Sequence, residues 1–397
     1  MKILQIASIF PVKDSPTENP YVRQFVAHYV GKYKAEMAVI KPVSYLPKVF
    51  VPFKGRKEYW AQKRQVCRKG SYSVNQIDIT VWPYVSVGSV SDLHAFFSSL
   101  VYGRNRKKIK QKKIESFDLI HAHYLFPDGM IAYQLHKKYG IPYILTLQQE
   151  LRFLKNSYSL RWVKKIIENA AKVITLSPQM AEGLKEKGIH IVQVVPLGIA
   201  EYFFHKKHRK PSRKKKEEKI KLLSVCNLLP VKNLEAVITA VGKLPEKEKI
   251  DYTIYGTGPL ENELKALVTK WDLNDIVHFK GAIENKELPA LMPAYDVFIQ
   301  PSFKETLGLS YFEALACGLP VILTENTGAY ELIKNKEVYY SVDPHDPVSI
   351  THCLQNILSD PESLARKAVQ APEAAKIASW EGFVEFFHER YREVIKK

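Results

Sequence analysis

The chain has 397 residues, 46% of them hydrophobic and 25% charged, and a net charge of +18. This length exceeds one ordinary core and calls for two domains of about 200 residues each, while the composition excludes a disordered or fibrous chain. No apolar run reaches the ~18 residues of a membrane-spanning helix. The cysteines Cys67, Cys226, Cys317 and Cys353 lie far apart without ligand spacing, which excludes a disulfide framework or zinc site and implies reduced thiols in a cytoplasm.

In chain order, KILQIASIF (2–10) is apolar, has no small-residue cleavage site and runs into Pro11, so it predicts a first buried strand rather than a signal peptide. YVRQFVAHYVGKY (21–33) has its apolar residues at helical spacing. AEMAVIKPV (35–43), DLIHAHY (118–124), YILTLQ (143–148), KVITLS (172–177) and VQVVPLGI (192–199) read as strands. GMIAYQLHKKYG (129–140) reads as a helix stopped at a glycine. In the helix that follows KVITLS, Ser177 is placed to cap, Pro178 to fill the first turn and Gly188 to terminate. Between 44 and 115 the alternation dissolves into a basic, aromatic stretch.

The second half restarts with the strand KLLSVCNLL (221–229) and a helix from Asn233. Strands then follow at 252–256, 277–281, 296–302 and 320–324, with helices at 259–271, 286–295, 309–318 and 328–333. WEGFVEFFHERYREVI (380–395) is an amphipathic helix with no strand after it. Strands alternating with helices predict an α/β protein of two doubly wound units. The expected domains are residues 1–205, a basic linker at 206–219, and residues 220–379, with the helix 380–397 joined to the first. Ligands of such units are expected in the cleft between them, at the carboxyl ends of the strands.

Charge is unevenly placed. Residues 1–200 carry 31 Lys/Arg against 13 Asp/Glu, residues 201–219 carry 9 against 3, and residues 220–397 carry 19 against 25. The N-terminal half should therefore meet something anionic. Residues 44–70 and 93–113 interleave Phe, Trp, Tyr and Leu with Lys and Arg, a pattern suited to the interfacial zone of an anionic membrane. A solvated loop with buried aromatics is one competing reading. A groove for single-stranded nucleic acid is another, but no recognised nucleic-acid module accompanies the stretch and no nucleic-acid partner is expected.

The most informative segment is PSFKETLGLSYFEALACGLPVILTENTG (301–328). A strand ends near Ser302 and a helix begins near Leu307, Gly308 and Leu309, where free amides and the positive end of the helix dipole suit phosphate oxygens. Glu305 precedes that helix and Glu313 lies one turn inside it. With that spacing one carboxylate can reach a sugar and the other a ribose diol, with a diphosphate between.

This segment resembles the signature of the family 4 retaining glycosyltransferases of GT-B fold, in which two glutamates are separated by seven residues. YGTGPLENEL (255–264), VHFKGAIENKEL (277–288), VKNLEAVITAV (231–241), HAHYLFPDG (121–129) and VVPLGI (194–199) resemble further landmarks of the family, so the resemblance covers nearly the whole chain. It implies two Rossmann-like domains facing across a cleft. It also implies an enzyme that moves a sugar from a nucleotide-diphosphate sugar, with no cofactor and no metal, since no DxD motif occurs.

Carried over by position, the resemblance makes Glu305, Lys232 and His123 the catalytic group. Glu305 would touch the transferred sugar and stabilise charge at the reacting carbon, Lys232 would neutralise the departing phosphate, and His123 would lie across the cleft near the sugar. Glu313 would hold the ribose hydroxyls, the backbone at Leu307, Gly308 and Leu309 the diphosphate, and Gly281 and Ile283 the border of the base. Gly256 belongs to the glycine turn. Cys226 and Asn227 stand where the family commonly has Gly-Arg, and Thr306 where glycine is usual, at the donor-sugar edge.

The expected activity is retaining transfer to a lipid-linked or cell-envelope glycan by a cytoplasmic protein peripheral to the inner face of the plasma membrane. The alternatives are a soluble transferase acting on a small metabolite and a nucleotide-sugar-binding protein without catalysis, which the Cys226–Asn227 departure keeps open.

Overall fold

The computed structural model describes residues 1–10, 21–46, 57–74, 77–85, 91–105, 107, 113–148, 157–189, 193–204, 218–325 and 327–396. They form two compact units: Met1–Val195 with Val384–Lys397, and Pro196–Phe383. Residues 11–20, most of the expected basic linker 206–219, and Arg106 and Lys108–Lys112 of the basic run lie outside the described residues.

In the first unit the strands are β1 (Lys2–Ile6), β2 (Glu36–Tyr45), β3 (Ser71–Val74), β4 (Ile77–Val85), β5 (Leu119–Ala122), β6 (Tyr143–Leu147), β7 (Lys172–Thr175) and β8 (Gln193–Val194). They lie in the order β3-β4-β2-β1-β5-β6-β7-β8. All pairs are parallel except β3 with β4. A parallel sheet covered on both faces explains why these strands are nearly continuous apolar runs; β6, for example, is buried at every position.

The helices include α1 (Tyr21–Tyr33), α2 (Lys57–Lys69), α3 (Ser91–Ser99), α4 (Met130–Tyr139), α5 (Ser157–Glu168) and α6 (Pro178–Lys185). Their ends obey local chemistry. Gly140 closes α4 with φ 71°, and the Ser177 hydroxyl accepts from the Met180 amide at 3.3 Å with Pro178 in the first turn of α6.

Three expectations are corrected here. The stretch 44–115 does not abandon the alternation: it holds β3, β4, α2 and α3. IDITVWPYV supplies a nine-residue strand whose Trp82 is fully buried, with Asp78 and Pro83 interrupting an otherwise apolar run. VQVVPLGI contributes only two strand residues, because Pro196 lacks the N–H that would continue the ladder.

The domain limit also moves. Pro196–Phe204 and Trp380–Phe383 belong to the second unit, because Ile199 pairs with Ser379 and Phe203 is buried among Leu288, Phe298 and Phe312. From Val384 onward the terminal helix returns to the first unit, where Phe387 and Tyr391 pack on Phe25, Tyr29 and His121.

The second unit contains β9 (Ile220–Val225), β10 (Ile250–Tyr255), β11 (Val277–Phe279), β12 (Val297–Ile299), β13 (Val321–Thr324) and β14 (Tyr339–Val342). All are parallel, in the order β11-β10-β9-β12-β13-β14. Counted from the first strand of the unit this is 3-2-1-4-5-6, the doubly wound dinucleotide-binding order, whose switch point falls between β9 and β12. Its helices include α7 (Leu234–Gly242), α8 (Glu261–Lys270), α9 (Leu309–Ala316), α10 (Gly328–Leu332), α11 (Pro347–Ser359) and α12 (Glu362–Ala375), and α13 (Trp380–Ile395) begins in this unit and belongs to the first from Val384 onward. The expected helix 286–295 is broken into single turns, with prolines at 289 and 293. β14, α11 and α12 were not anticipated from the sequence.

Candidate functional site

The switch point of the second unit is where the predicted site residues gather. β9 ends at Val225, and its loop runs through Cys226 and exposed Asn227 to Lys232. β12 ends at Ile299, and its loop runs to Glu305. The Phe303 amide donates to the Val231 carbonyl at 2.9 Å, so the two loops are joined through their backbones. Lys232 Nζ then pairs with Glu305 Oε2, with the side chains only 19% and 21% exposed.

Asn233 fixes this approach. It adopts φ 57°, ψ 36°, a left-handed conformation that asparagine tolerates. Its amide donates to the carbonyls of Pro301 at 3.1 Å and Pro344 at 2.8 Å. In the sequence Asn233 marks only a helix start.

The loop from Glu305 to α9 is held from the other side as well. The Gly328 amide donates to the Glu305 carbonyl at 3.2 Å, and Glu305 bridges to Thr327. Gly308 sits at φ 77°, ψ 58° before α9, and a Cβ there would collide with the ring of Tyr311. Tyr311 is fully buried, with its hydroxyl donating to the Gln300 carbonyl. The glycine is therefore required by the protein's own packing, beyond any ligand. Leu307 points into the core, Leu309 and Thr306 are half-buried, and the first amides of α9 lack intrahelical acceptors.

Glu313 occupies the second turn of α9. Its Oε1 accepts from Asn285 Nδ2 at 3.0 Å, and Asn285 Oδ1 in turn accepts from the Tyr202 hydroxyl. Burial raises the Glu313 pKa above the usual glutamate value, and the Asn285 bond opposes that by favouring the charged form. Neither partner had been singled out; Asn285 stands two residues beyond Ile283, and only the folded chain brings Tyr202 to it.

The loop after β10 closes the other flank. Gly256 has φ 137°, its amide donates to the Gly281 carbonyl at 2.7 Å, and a Cβ there would overlap the Cys226 carbonyl. The glycine turn thus lies directly on the loop that carries Lys232. Gly281 and Ile283 are half-buried beside it, Ile283 against the core that includes Leu307. Burial pushes the Cys226 thiol up to about 12, so it is unreactive at neutral pH.

His123 belongs to the first unit, just past β5, and is wholly buried. Its Nε2 lies 2.7 Å from Gln5 Oε1, while Nδ1 has no hydrogen-bond partner among the described residues. Burial lowers its pKa to about 3, which keeps the ring neutral. The neighbouring His121, 4.0 Å away between ring centroids, joins Thr146 at 2.7 Å and Tyr391 at 2.5 Å. The buried Asp128 carboxylate accepts from the Ser8 amide at 3.0 Å, and buried Lys41 donates to the carbonyls of Ser8 and Phe10. These two charged residues, not anticipated from the sequence, fix the chain where it leaves β1.

Residues 205–374 match the family model described as Glycosyl transferases group 1, and residues 66–201 the one described as Glycosyltransferase Family 4. The chain is 24% identical over 301 residues to the D-inositol 3-phosphate glycosyltransferase of Paenarthrobacter aurescens, covering 70% of this chain and 73% of that protein. It is 26% identical over 275 residues to the alpha-monoglucosyldiacylglycerol synthase of Streptococcus pneumoniae, covering 64% and 62%. Among solved structures, the Anabaena protein HepE in complex with UDP superposes with a TM-score of 0.68 at 17% identity, over 99% of this chain and 100% of that one. Matched along both halves by the family's models, and built of two parallel-sheet units, the chain belongs to the family 4 glycosyltransferases and has the GT-B fold.

Proposed function

We propose that the second unit binds a nucleotide-diphosphate sugar and that the chain transfers the sugar with retention of anomeric configuration and without a metal ion. The observation that carries this reading is the Lys232–Glu305 pair at the switch point, next to the N-terminus of α9 and one turn from Glu313. A diphosphate at that helix end meets unpaired amides and the positive end of the dipole. Lys232 adds a full charge, which suits an oxygen that becomes anionic as the glycosidic bond breaks. Glu305 is placed for the sugar and Glu313 for the ribose diol, and Gly281 and Ile283 border the base. The UDP complex of HepE supports a nucleotide ligand.

The test is a thermal-shift panel of nucleoside diphosphates and their sugars. A ligand at 100 times its Kd should add about 2.7 kcal/mol to the wild type, and Glu313→Ala should lose most of that gain. A wild type stabilised by none of them contradicts the reading.

For the acceptor we propose a lipid-linked or cell-envelope glycan at the inner face of the plasma membrane. Phe96 and Leu100 are 45% and 51% exposed, four residues apart and near exposed Arg104 and Lys107 in the strongly basic half. The relative named for a glucosyldiacylglycerol supports a lipid acceptor. The relative named for D-inositol 3-phosphate favours the second reading, a small soluble acceptor. Among the described residues no helix is long and apolar enough to cross a membrane.

The protein should co-float with anionic and not with neutral vesicles. Binding should weaken as salt shortens the Debye length from about 10 Å at 0.1 M to roughly 3 Å at 1 M. Changing Arg104, Arg106, Lys107 and Lys108 to Glu should abolish flotation. Absence of wild-type flotation at low salt favours the small acceptor.

A further inference from the structure

We propose that Asn285 and Tyr202 are positioning residues for the nucleotide: they hold one oxygen of the Glu313 carboxylate and leave the other for ligand hydroxyls. This rests on the donor site proposed above and adds to it a chain of three side chains drawn from distant parts of the sequence.

The geometry has a direction. The Tyr202 hydroxyl donates to Asn285 Oδ1, which turns the amide NH2 toward Glu313, 3.0 Å from Oε1. With that bond removed the amide is free to rotate, and its oxygen would then face a carboxylate oxygen, acceptor against acceptor. Tyr202 therefore acts on Glu313 only through Asn285. The segment that carries it is anchored by the buried neighbour Phe203, whereas Tyr202 itself is 39% exposed.

The surroundings leave Asn285 as the group that favours the charged carboxylate. Burial opposes ionisation of Glu313, and the Asn285 bond supports it. Beside Asn285, Lys286 pairs with Glu284 at 2.6 Å. At the switch point, Lys232 is paired with Glu305. On α12, which packs against α9, Arg366 pairs with Asp360, Lys367 donates to the Glu337 carbonyl and Glu373 pairs with Lys376. The titratable group that faces Glu313 in this set is Tyr202, whose phenol is itself raised by burial and by the Glu313 charge.

The experiment measures Kd by calorimetry from pH 5 to 8, using whichever of UDP, GDP, ADP, CDP and dTDP the wild type binds most tightly. Asn285→Leu should weaken binding about tenfold at pH 7 by removing a hydrogen bond to a charged group. It should also move the acid limb to higher pH, because Glu313 then protonates sooner. Tyr202→Phe should weaken binding about threefold in the same direction. The double variant should bind no more weakly than Asn285→Leu alone, since the tyrosine acts through the asparagine.

Glu313→Ala separates this proposal from the reading beneath it. If that variant loses affinity while Asn285→Leu and Tyr202→Phe keep wild-type Kd and pH profile, the positioning role is wrong. Additive losses in the double variant overturn it as well. If Glu313→Ala binds like wild type, or the wild type binds none of the five, the donor-site reading itself fails. If Asn285→Leu does not fold, Tyr202→Phe decides alone, and an unchanged Kd and acid limb overturn the proposal.

Discussion

Glu305→Gln should lower turnover by roughly 10² or more. Glutamine keeps the shape of the side chain and its fit against the glycine at 308, but removes the negative charge. In the site proposed here that charge faces a carbon that becomes positive as the bond to the phosphate lengthens. A charge aligned before the reaction acts without reorganisation, which is why its loss appears in turnover more than in substrate affinity. Because the pair is only 19% and 21% exposed, the variant's folding stability is read separately by thermal denaturation, and the fall in turnover is measured on protein that is still folded. Steady-state release of nucleoside diphosphate should show the fall in kcat with KM changed far less. Wild-type turnover in this variant would remove Glu305 from the chemistry.

Lys232→Ala should have the second-largest effect, a fall in turnover again on the order of 10²-fold. The donor diphosphate is already anionic when it binds, so the lysine contributes something to affinity. The leaving oxygen gains further charge only as the glycosidic bond breaks, and that increment is what raises kcat. The departure at Cys226 and Asn227 sharpens this expectation. With no arginine in that loop, Lys232 is the cation that the β9–α7 connection offers at the switch point. The variant also removes the Lys232–Glu305 contact, so the two substitutions should be far from additive. A loss confined to KM would assign Lys232 to binding alone.

How much of this was legible in the sequence differs between the two units. In the second, strands such as KLLSV (221–225) and YTIYG (252–256), and the ETLGLSYFE segment, announced both the sheet and its carboxyl edge. The order 3-2-1-4-5-6 could not be read, because register and strand order are set by long-range pairing. It is this order that brings Lys232 and Glu305 together across 73 residues of sequence. Gly308 and Gly256 were legible as glycines, but the atoms that exclude a side chain, the Tyr311 ring and the Cys226 carbonyl, were not. In the first unit, β3 is only four residues long and directly follows Arg68-Lys69-Gly70, and β4 carries Asp78 and Pro83 inside its apolar run, which weakens the strand signal. Buried charges escaped for a related reason. Lys41 and Asp128 look like surface residues until the fold shows backbone groups of Ser8 and Phe10 satisfying them. Tyr202 was assigned to the wrong side of the domain limit, so its link to Asn285 and Glu313 had no way to be seen.

The central claim is that the switch-point cluster of the second unit supports retaining, metal-free transfer from a nucleotide sugar. It is tested most directly by following, in EDTA, the sugar released from the nucleotide sugar that most stabilises the wild type, with proton NMR of the anomeric signal before mutarotation. The account predicts release without added metal, a first-formed sugar with the anomeric configuration of the donor, and a strong loss of release in Lys232→Ala. Release that requires a divalent ion, or a first-formed sugar of inverted configuration, would contradict it.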